Sequence, residues 1–271
     1  MAYKEDEEIE PVRLNKFISH NTKYSRREAD QLILDGRVTV NGKEVEDAGM
    51  KVLPKTDKVS IDGKKDIWVE ENKIPTVIVY NKPKGELVTK KDPQGRRIIY
   101  DTLGSKYSHF MPIGRLDYSS EGVLLLSDSI EIVNALMHSN LERVYKIKIN
   151  GPITTQMTNA MIEGTEVSNA KDGAHKNSKI TSMRFAPFVG YQIQKNDKNY
   201  SKLKVSIAEG QNRELRRFFA HFGADVLDLK RIEFGGISLN NLPTGKSRFL
   251  SRDEYRNLRA YVKEMEKESS Q

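Results

Sequence analysis

The chain has 271 residues, and 45 Lys and Arg against 38 Asp and Glu leave a formal net charge of +7. A hydrophobic share of 37% is enough for a core at this length, with room for one large domain or a large and a small one. Cys is absent, which excludes disulfides, thiol nucleophiles and Cys-ligated zinc. No apolar run approaches the roughly 18 residues that span a bilayer. The acidic start Glu5-Asp6-Glu7-Glu8 is unlike a signal peptide, so a cytoplasmic protein with no membrane partner is expected. The excess of positive charge favours a polyanion as partner.

Residues 1–11 are polar and acidic and read as a disordered N-terminus. Val12, Leu14, Phe17 and Ile18 have helical spacing. Ser25-Arg26-Arg27-Glu28 spells a capping box, and the helix behind it carries Ala29, Leu32 and Ile33 on one face before a stop at Gly36. Val38-Thr39-Val40 and Lys43-Glu44-Val45 flank Asn41-Gly42, a two-residue hairpin signal. A second strand pair, Val52-Leu53 with Val59-Ser60-Ile61, is expected to close a small domain over residues 12–62. Residues 63–75 are charged and poorly periodic and read as a linker.

Strands and helices then mix over residues 76–262. Val77 to Tyr80, Val123 to Leu126, Val144 to Ile149 and Leu203 to Ile207 read as strands. Asp128-Ser129-Ile130-Glu131 opens a helix towards His138, Met157 to Gly164 suggests a short helix with its stop, and Leu215, Phe218, Phe219 and Phe222 have core spacing on another. Gly235-Gly236 reads as a turn between strands. A last amphipathic helix runs from Arg252 to Glu266, with a polar tail over 263–271. The pattern implies an α+β fold with a mixed or antiparallel sheet, and it holds no repeat of solenoid period.

Two regions can carry chemistry. Arg13, Lys16, Lys23, Arg26, Arg27 and Arg37 stand against Glu28, Asp30 and Asp35 in the first helix pair. Arg26 and Arg27 open a helix, where backbone amides also favour an anion, so Arg13, Lys16, Arg26 and Arg27 suit phosphate contacts that position RNA without reading it. A solvated charged face is the plainer reading of the same residues. The second region is Gly114-Arg115-Leu116-Asp117, just before an apolar strand. Asp117 is either a turn-stabilising residue or an active-site carboxylate, and an Arg from elsewhere in the chain, Arg216 or Arg217, would favour its charged form. The five His residues show no ligand spacing, so no metal is expected.

The order of elements in the first region, Arg13-Leu14-Asn15-Lys16, Ser25-Arg26-Arg27-Glu28-Ala29, Gly36 and Asn41-Gly42, resembles the RNA-binding domain named after small-subunit ribosomal protein S-four, or alpha-L motif. Three further segments follow in order. They are Asn81-Lys82-Pro83-Lys84-Gly85; Gly114-Arg115-Leu116-Asp117 with Glu121-Gly122-Val123-Leu124-Leu125; and Glu209-Gly210-Gln211-Asn212-Arg213-Glu214-Leu215-Arg216-Arg217. Together they resemble bacterial ribosomal pseudouridine synthases of the RsuA/RluB type.

The resemblance implies a small alpha-L domain followed by a catalytic domain with a mixed, mostly antiparallel sheet. Asp117 matches the catalytic Asp, Tyr145 the Tyr that stacks on the target base, and Arg216 the basic residue that pairs with the Asp. Arg115, Arg213 and Arg217 are expected to contact RNA, and Leu203, Val205 and Ile207 to form an apolar floor under the base. The reaction needs no cofactor. Gln211 departs from the Arg of many relatives, and Asn212-Arg213-Glu214 resembles the RluB branch, which implies large-subunit ribosomal RNA, free or in an assembly intermediate, as partner of a monomer. The rival reading is a non-catalytic RNA-binding protein or RNA chaperone in ribosome assembly, which has no need of a carboxylate at 117.

Overall fold

The computed structural model describes residues 10–54, 56–64, 66–67, 75–175 and 178–269. Most of the expected N-terminal stretch and linker, and the end of the tail, lie outside the described residues. The chain divides into two compact units.

The first unit takes in the described residues up to Thr76 with Thr89–Met111 and Ser127–Ile130. It begins with β1 (Val12–Arg13), α1 (Leu14–Asn21) and α2 (Arg26–Leu34). The capping box at the start of α2 is formed: the Ser25 hydroxyl accepts from the Glu28 amide, and Glu28 accepts from the Ser25 amide at 3.0 Å. The strands β2 (Val38–Val40) and β3 (Lys43–Glu44) make the expected hairpin, with Asn41 at φ 53° and Gly42 at φ 78°, the positive pair that a tight hairpin turn needs.

The two strands that follow, β4 (Lys51–Val52) and β5 (Val59–Ile61), do not pair with each other as expected. Val52 lies opposite Val12 on β1, and Ile61 lies opposite Val38 on β2. Each short strand goes to the neighbour that covers the common core of Leu14, Phe17, Ile18, Ala29, Leu32, Ile33, Val38 and Val40. The segment from Thr89, with α3 (Ile99–Leu103), belongs to this unit. Lys90 Nζ donates to the Ser19 and Thr22 carbonyls at the end of α1, both at 2.7 Å, and Lys91 pairs with Glu28 at 2.7 Å. Cations at a helix C-terminus complement its dipole.

The second unit holds β6 (Val77–Lys82), β7 (Met111–Pro112), β8 (Glu121–Ser127), α4 (Ile130–Met137), β9 (Arg143–Asn150), α5 (Thr155–Glu163), β10 (Thr165–Val167) and β11 (Met183–Phe185). It continues through β12 (Gly190–Lys195), β13 (Tyr200–Ile207), α6 (Glu214–His221), β14 (Val226–Phe234), β15 (Ile237–Ser238), β16 (Ser247–Phe249) and α7 (Arg252–Ser269). Seven strands run in the order β12-β13-β9-β14-β8-β6-β16, with β7 beside β8 and β15 beside β14 in the same sheet. The pairs β12–β13, β13–β9, β9–β14 and β6–β16 are antiparallel and β14–β8 is parallel, the mixed, mostly antiparallel sheet that was expected. β14 and β15 are joined at Gly235-Gly236, the turn read from sequence.

Along β9, Tyr145, Ile147 and Ile149 are buried, and on β13 Leu203, Val205 and Ile207 lie in register with Ile147, Tyr145 and Arg143. α6 contributes Phe218 and Phe219, both fully buried, with Phe185 and Phe188 against Phe218 at 5.5 and 4.8 Å between ring centroids. Among the described residues, no helix is long and apolar enough to cross a membrane.

Candidate active site

Asp117 sits on the loop between β7 and β8, and that loop is held from below by a buried lysine. β6 is buried along its whole length and ends in Lys82, whose side chain is fully enclosed. Its ammonium donates to the carbonyls of Pro83 at 2.9 Å, Asp117 at 3.2 Å and Ser120 at 2.9 Å, so all three of its protons are used. Burial pushes the Lys82 pKa down to about 8, against the opposing pull of Glu86, Asp117 and Glu121. Two backbone bonds complete the cradle: the Ser120 amide donates to the Asp117 carbonyl at 3.0 Å, and the Gly85 amide to the Tyr118 carbonyl at 2.7 Å. At the far end, Gly122 has φ 107°, and a Cβ there would lie 2.0 Å from the Arg231 carbonyl, so only glycine lets β8 approach β14 this closely.

The carboxylate of Asp117 meets two guanidinium groups, one from the residue that caps α6 and one from its first turn. Its Oδ2 is 3.1 Å from Arg213 Nη1 and 3.4 Å from Arg216 Nε. Arg216 is anchored further by donating to the Val226 carbonyl at 3.0 Å and the Ser120 hydroxyl at 3.2 Å. Burial lowers its pKa, with Asp117 pulling the other way. Arg213 stands at the start of the helix in the left-handed region, φ 52° and ψ 30°, a conformation that costs a residue with a Cβ roughly 1–2 kcal/mol. Its Nε donates to the Gly173 carbonyl at 2.7 Å, so one side chain touches both the carboxylate and a neighbouring loop. Glu214 is buried next to it and accepts from the Gln211 amide at 2.8 Å. Burial raises the Glu214 pKa.

Arg217, expected to contact RNA, lies buried in the fold. It is 1% exposed, and its guanidinium donates to the carbonyls of Ala170, Asn212 and Ile180 and to the Ser178 hydroxyl. One step along an α-helix turns about 100°, so 216 and 217 diverge, one towards Asp117 and the other into the loop at 170–180.

The remaining expected residues fall as follows. Tyr145 lies mid-sheet on β9, in register with Val205 on one side and Arg231 on the other, and is 7% exposed. Arg231 is opposite Gly122 on β8, so Tyr145 is two strand spacings, roughly 10 Å, from the strand that follows Asp117. Arg115 is exposed on the Asp117 loop. In the other unit, Arg13, Arg26 and Arg27 are exposed and Lys16 is half-buried. Lys16, Arg26 and Lys90 lie close enough to His20 to act on it: with burial as the larger cause, they lower its pKa to about 4.

Sequence reasoning gave Arg213 to RNA and no role to Lys82. A lysine ending an otherwise apolar strand was the available signal for the second. For the first there was none, because the approach of Arg213 to Asp117 depends on its left-handed backbone.

Comparison with known proteins gives the family. The family described as RNA pseudouridylate synthase matches residues 76–221, and the S4 domain matches residues 12–59. The chain belongs to the RNA pseudouridylate synthase family. An uncharacterized RNA pseudouridine synthase of Helicobacter pylori is 55% identical over 251 residues, 93% of this chain and 95% of that protein. The ribosomal large subunit pseudouridine synthase B of Bacillus subtilis is 34% identical over 250 residues, 92% of this chain and 96% of that one. Among solved structures, a pseudouridylate synthase crystal structure superposes with a TM-score of 0.59 at 24% identity, covering 91% of this chain and 99% of the other, which supports the fold.

Proposed function

We propose that this synthase converts a uridine of large-subunit ribosomal RNA to pseudouridine, with Asp117 as the catalytic carboxylate. The observation that carries the proposal is Asp117 itself, held on a loop clamped by Lys82 and facing Arg213 and Arg216. The isomerisation breaks the bond between N1 and C1′, turns the uracil and joins C5 to C1′; the proton on C5 leaves to solvent and N1 gains one. Asp117 either attacks C1′ or removes a sugar proton. The base must leave its stack first, at a cost of a few kcal/mol. Stacking on Tyr145 over Val205, and phosphate contacts from Arg13, Lys16, Arg26, Arg27 and Arg115, would offset that cost. The likeness to the Bacillus subtilis large-subunit enzyme supports the choice of RNA.

The test is a pseudouridine map of ribosomal RNA, by carbodiimide adduct and primer extension, from cells with and without the gene. One stop lost in the deletion, restored by the wild-type chain and not by Asp117→Asn, is the expected result. A map that does not change, or an Asn variant that restores the stop, refutes the proposal.

A further inference from the structure

On the sheet, side chains that neighbour each other across strands share a face, and along each strand the faces alternate. Tyr145, Ile147, Leu203 and Val205 take the buried face. The residues between them are lysines. Lys204 lies opposite Lys146, which lies opposite Lys230, which lies opposite Glu121; in the next row Lys202 lies opposite Lys148. Like charges directly opposite one another on a sheet destabilise it, yet two adjacent pairs stand side by side on β9 and β13.

Carboxylates border this patch and are already engaged. Glu121 is 3.8 Å from Lys230, Asp228 pairs with Lys84 at 2.6 Å, Asp197 faces Lys195 at 3.6 Å, and Glu142 is bonded to the Ser206 hydroxyl. Lys146, Lys148, Lys202 and Lys204 form no ion pair among the described residues, and all but the half-buried Lys148 are exposed. The aromatic ring at the patch, Tyr200, is half-buried and engaged by lysines, with Lys195 and Lys148 at 3.9 and 4.4 Å from its centroid. The surface therefore offers mainly charge, which suits a phosphate backbone whose bases are turned inward. The row from Lys204 through Lys146 and Lys230 ends at Glu121, four residues after Asp117 and about 14 Å from its start, so it runs towards the Asp117 loop.

We propose that Lys146, Lys148, Lys202 and Lys204 form a second RNA-contact surface, which binds the phosphate backbone of a duplex flanking the uridine at Asp117. The proposal rests on RNA being the substrate, and it is tested by binding, apart from turnover. The full chain and its Lys146→Gln, Lys148→Gln, Lys202→Gln, Lys204→Gln variant are titrated with a fluorescein-labelled 20-base-pair mixed-sequence RNA duplex over a range of KCl. Loss of about four phosphate contacts should lower the slope of log affinity against log salt by about 3, and weaken binding by roughly tenfold or more at moderate salt. A single Lys204→Glu change converts a repulsive pair into an attractive one, so it keeps the fold, and it should weaken binding too.

An unchanged slope and affinity in both variants overturns the proposal, and it does so whether the face is idle or meets an acidic protein. Release of tritium from RNA carrying 5-labelled uridine separates the two readings. Lysine-dependent duplex binding with no release by the wild type defeats the isomerase reading alone. Normal release with a slope that the lysines do not affect defeats the surface alone.

Discussion

Replacing Lys82 by Met keeps the length of the side chain and removes the ammonium that ties Pro83, Asp117 and Ser120 together. The carbonyls of Pro83 and Ser120 then lose this donor, at a cost of about 1–3 kcal/mol apiece, while the Asp117 carbonyl keeps the Ser120 amide. Against this, the wild type bears the cost of keeping a charge out of water. The Lys82 pKa drops from 10.5 to about 8, and at 1.36 kcal/mol per unit this is about 3 kcal/mol, which the Met variant no longer bears. The middle of the balance is a net loss of about 1 kcal/mol. For a unit of this size that corresponds to a fall of roughly 2–4 °C in melting temperature. Because the clamp acts on the Asp117 carbonyl, kcat should fall further than the affinity for RNA. Thermal melts and single-turnover tritium release measure the two effects. A melting temperature equal to or above that of wild type, with kcat unchanged, would refute the view that Lys82 organises the loop, since two carbonyls would have lost their donor at no cost.

Arg216→Lys should lower kcat by two orders of magnitude or so with little change in KM, because an ammonium cannot serve Val226, Ser120 and Asp117 from one plane as the guanidinium does; near-normal rapid-quench rates would count against this. Arg217→Ala should act on stability, costing about 3 kcal/mol or more through the carbonyls of Ala170, Asn212 and Ile180, and a normal melt with weakened RNA binding would reverse that assignment. His20 is kept neutral in the fold down to about pH 4 but takes a proton near 6.5 when unfolded. Its contribution is therefore fully present above pH 6.5 and is lost as the pH falls towards 4. After allowance for solvent screening the effect is at most about 2 kcal/mol, and melts of wild type and His20→Gln should converge over that window; a constant difference would contradict it.

What could be read in advance was local. Asn41-Gly42 needs positive φ at two positions, and the Ser25–Glu28 box satisfies its own amides, so both features declare themselves within four residues. The partners of β4 and β5 were misread because strands of two or three residues carry no register signal, and the core they cover decides where they go. The pairing of Asp117 with Arg216 was legible through the family resemblance. The divergence of Arg216 from Arg217 needed the phase of α6, which begins only after the left-handed Arg213. The lysine face was hidden for a similar reason. Lys146 and Lys204 are 58 positions apart, and only the register of β9 against β13 sets one opposite the other.

The turn at Gly173 stands behind both arginines. A Cβ there would lie 2.4 Å from the Arg216 carbonyl at a backbone φ of +70°, while its own carbonyl holds Arg213. Surface loops usually absorb insertions and substitutions at little cost. This one has no such latitude at position 173, since any side chain there would press on the turn of helix that aims two guanidinium groups at Asp117. Sequence drift across this enzyme should thus show an inflexible point inside a stretch that is otherwise polar and irregular. A random-mutagenesis screen for lost isomerisation should return Gly173 alongside residues of the Asp117 loop, through the backbone it supports.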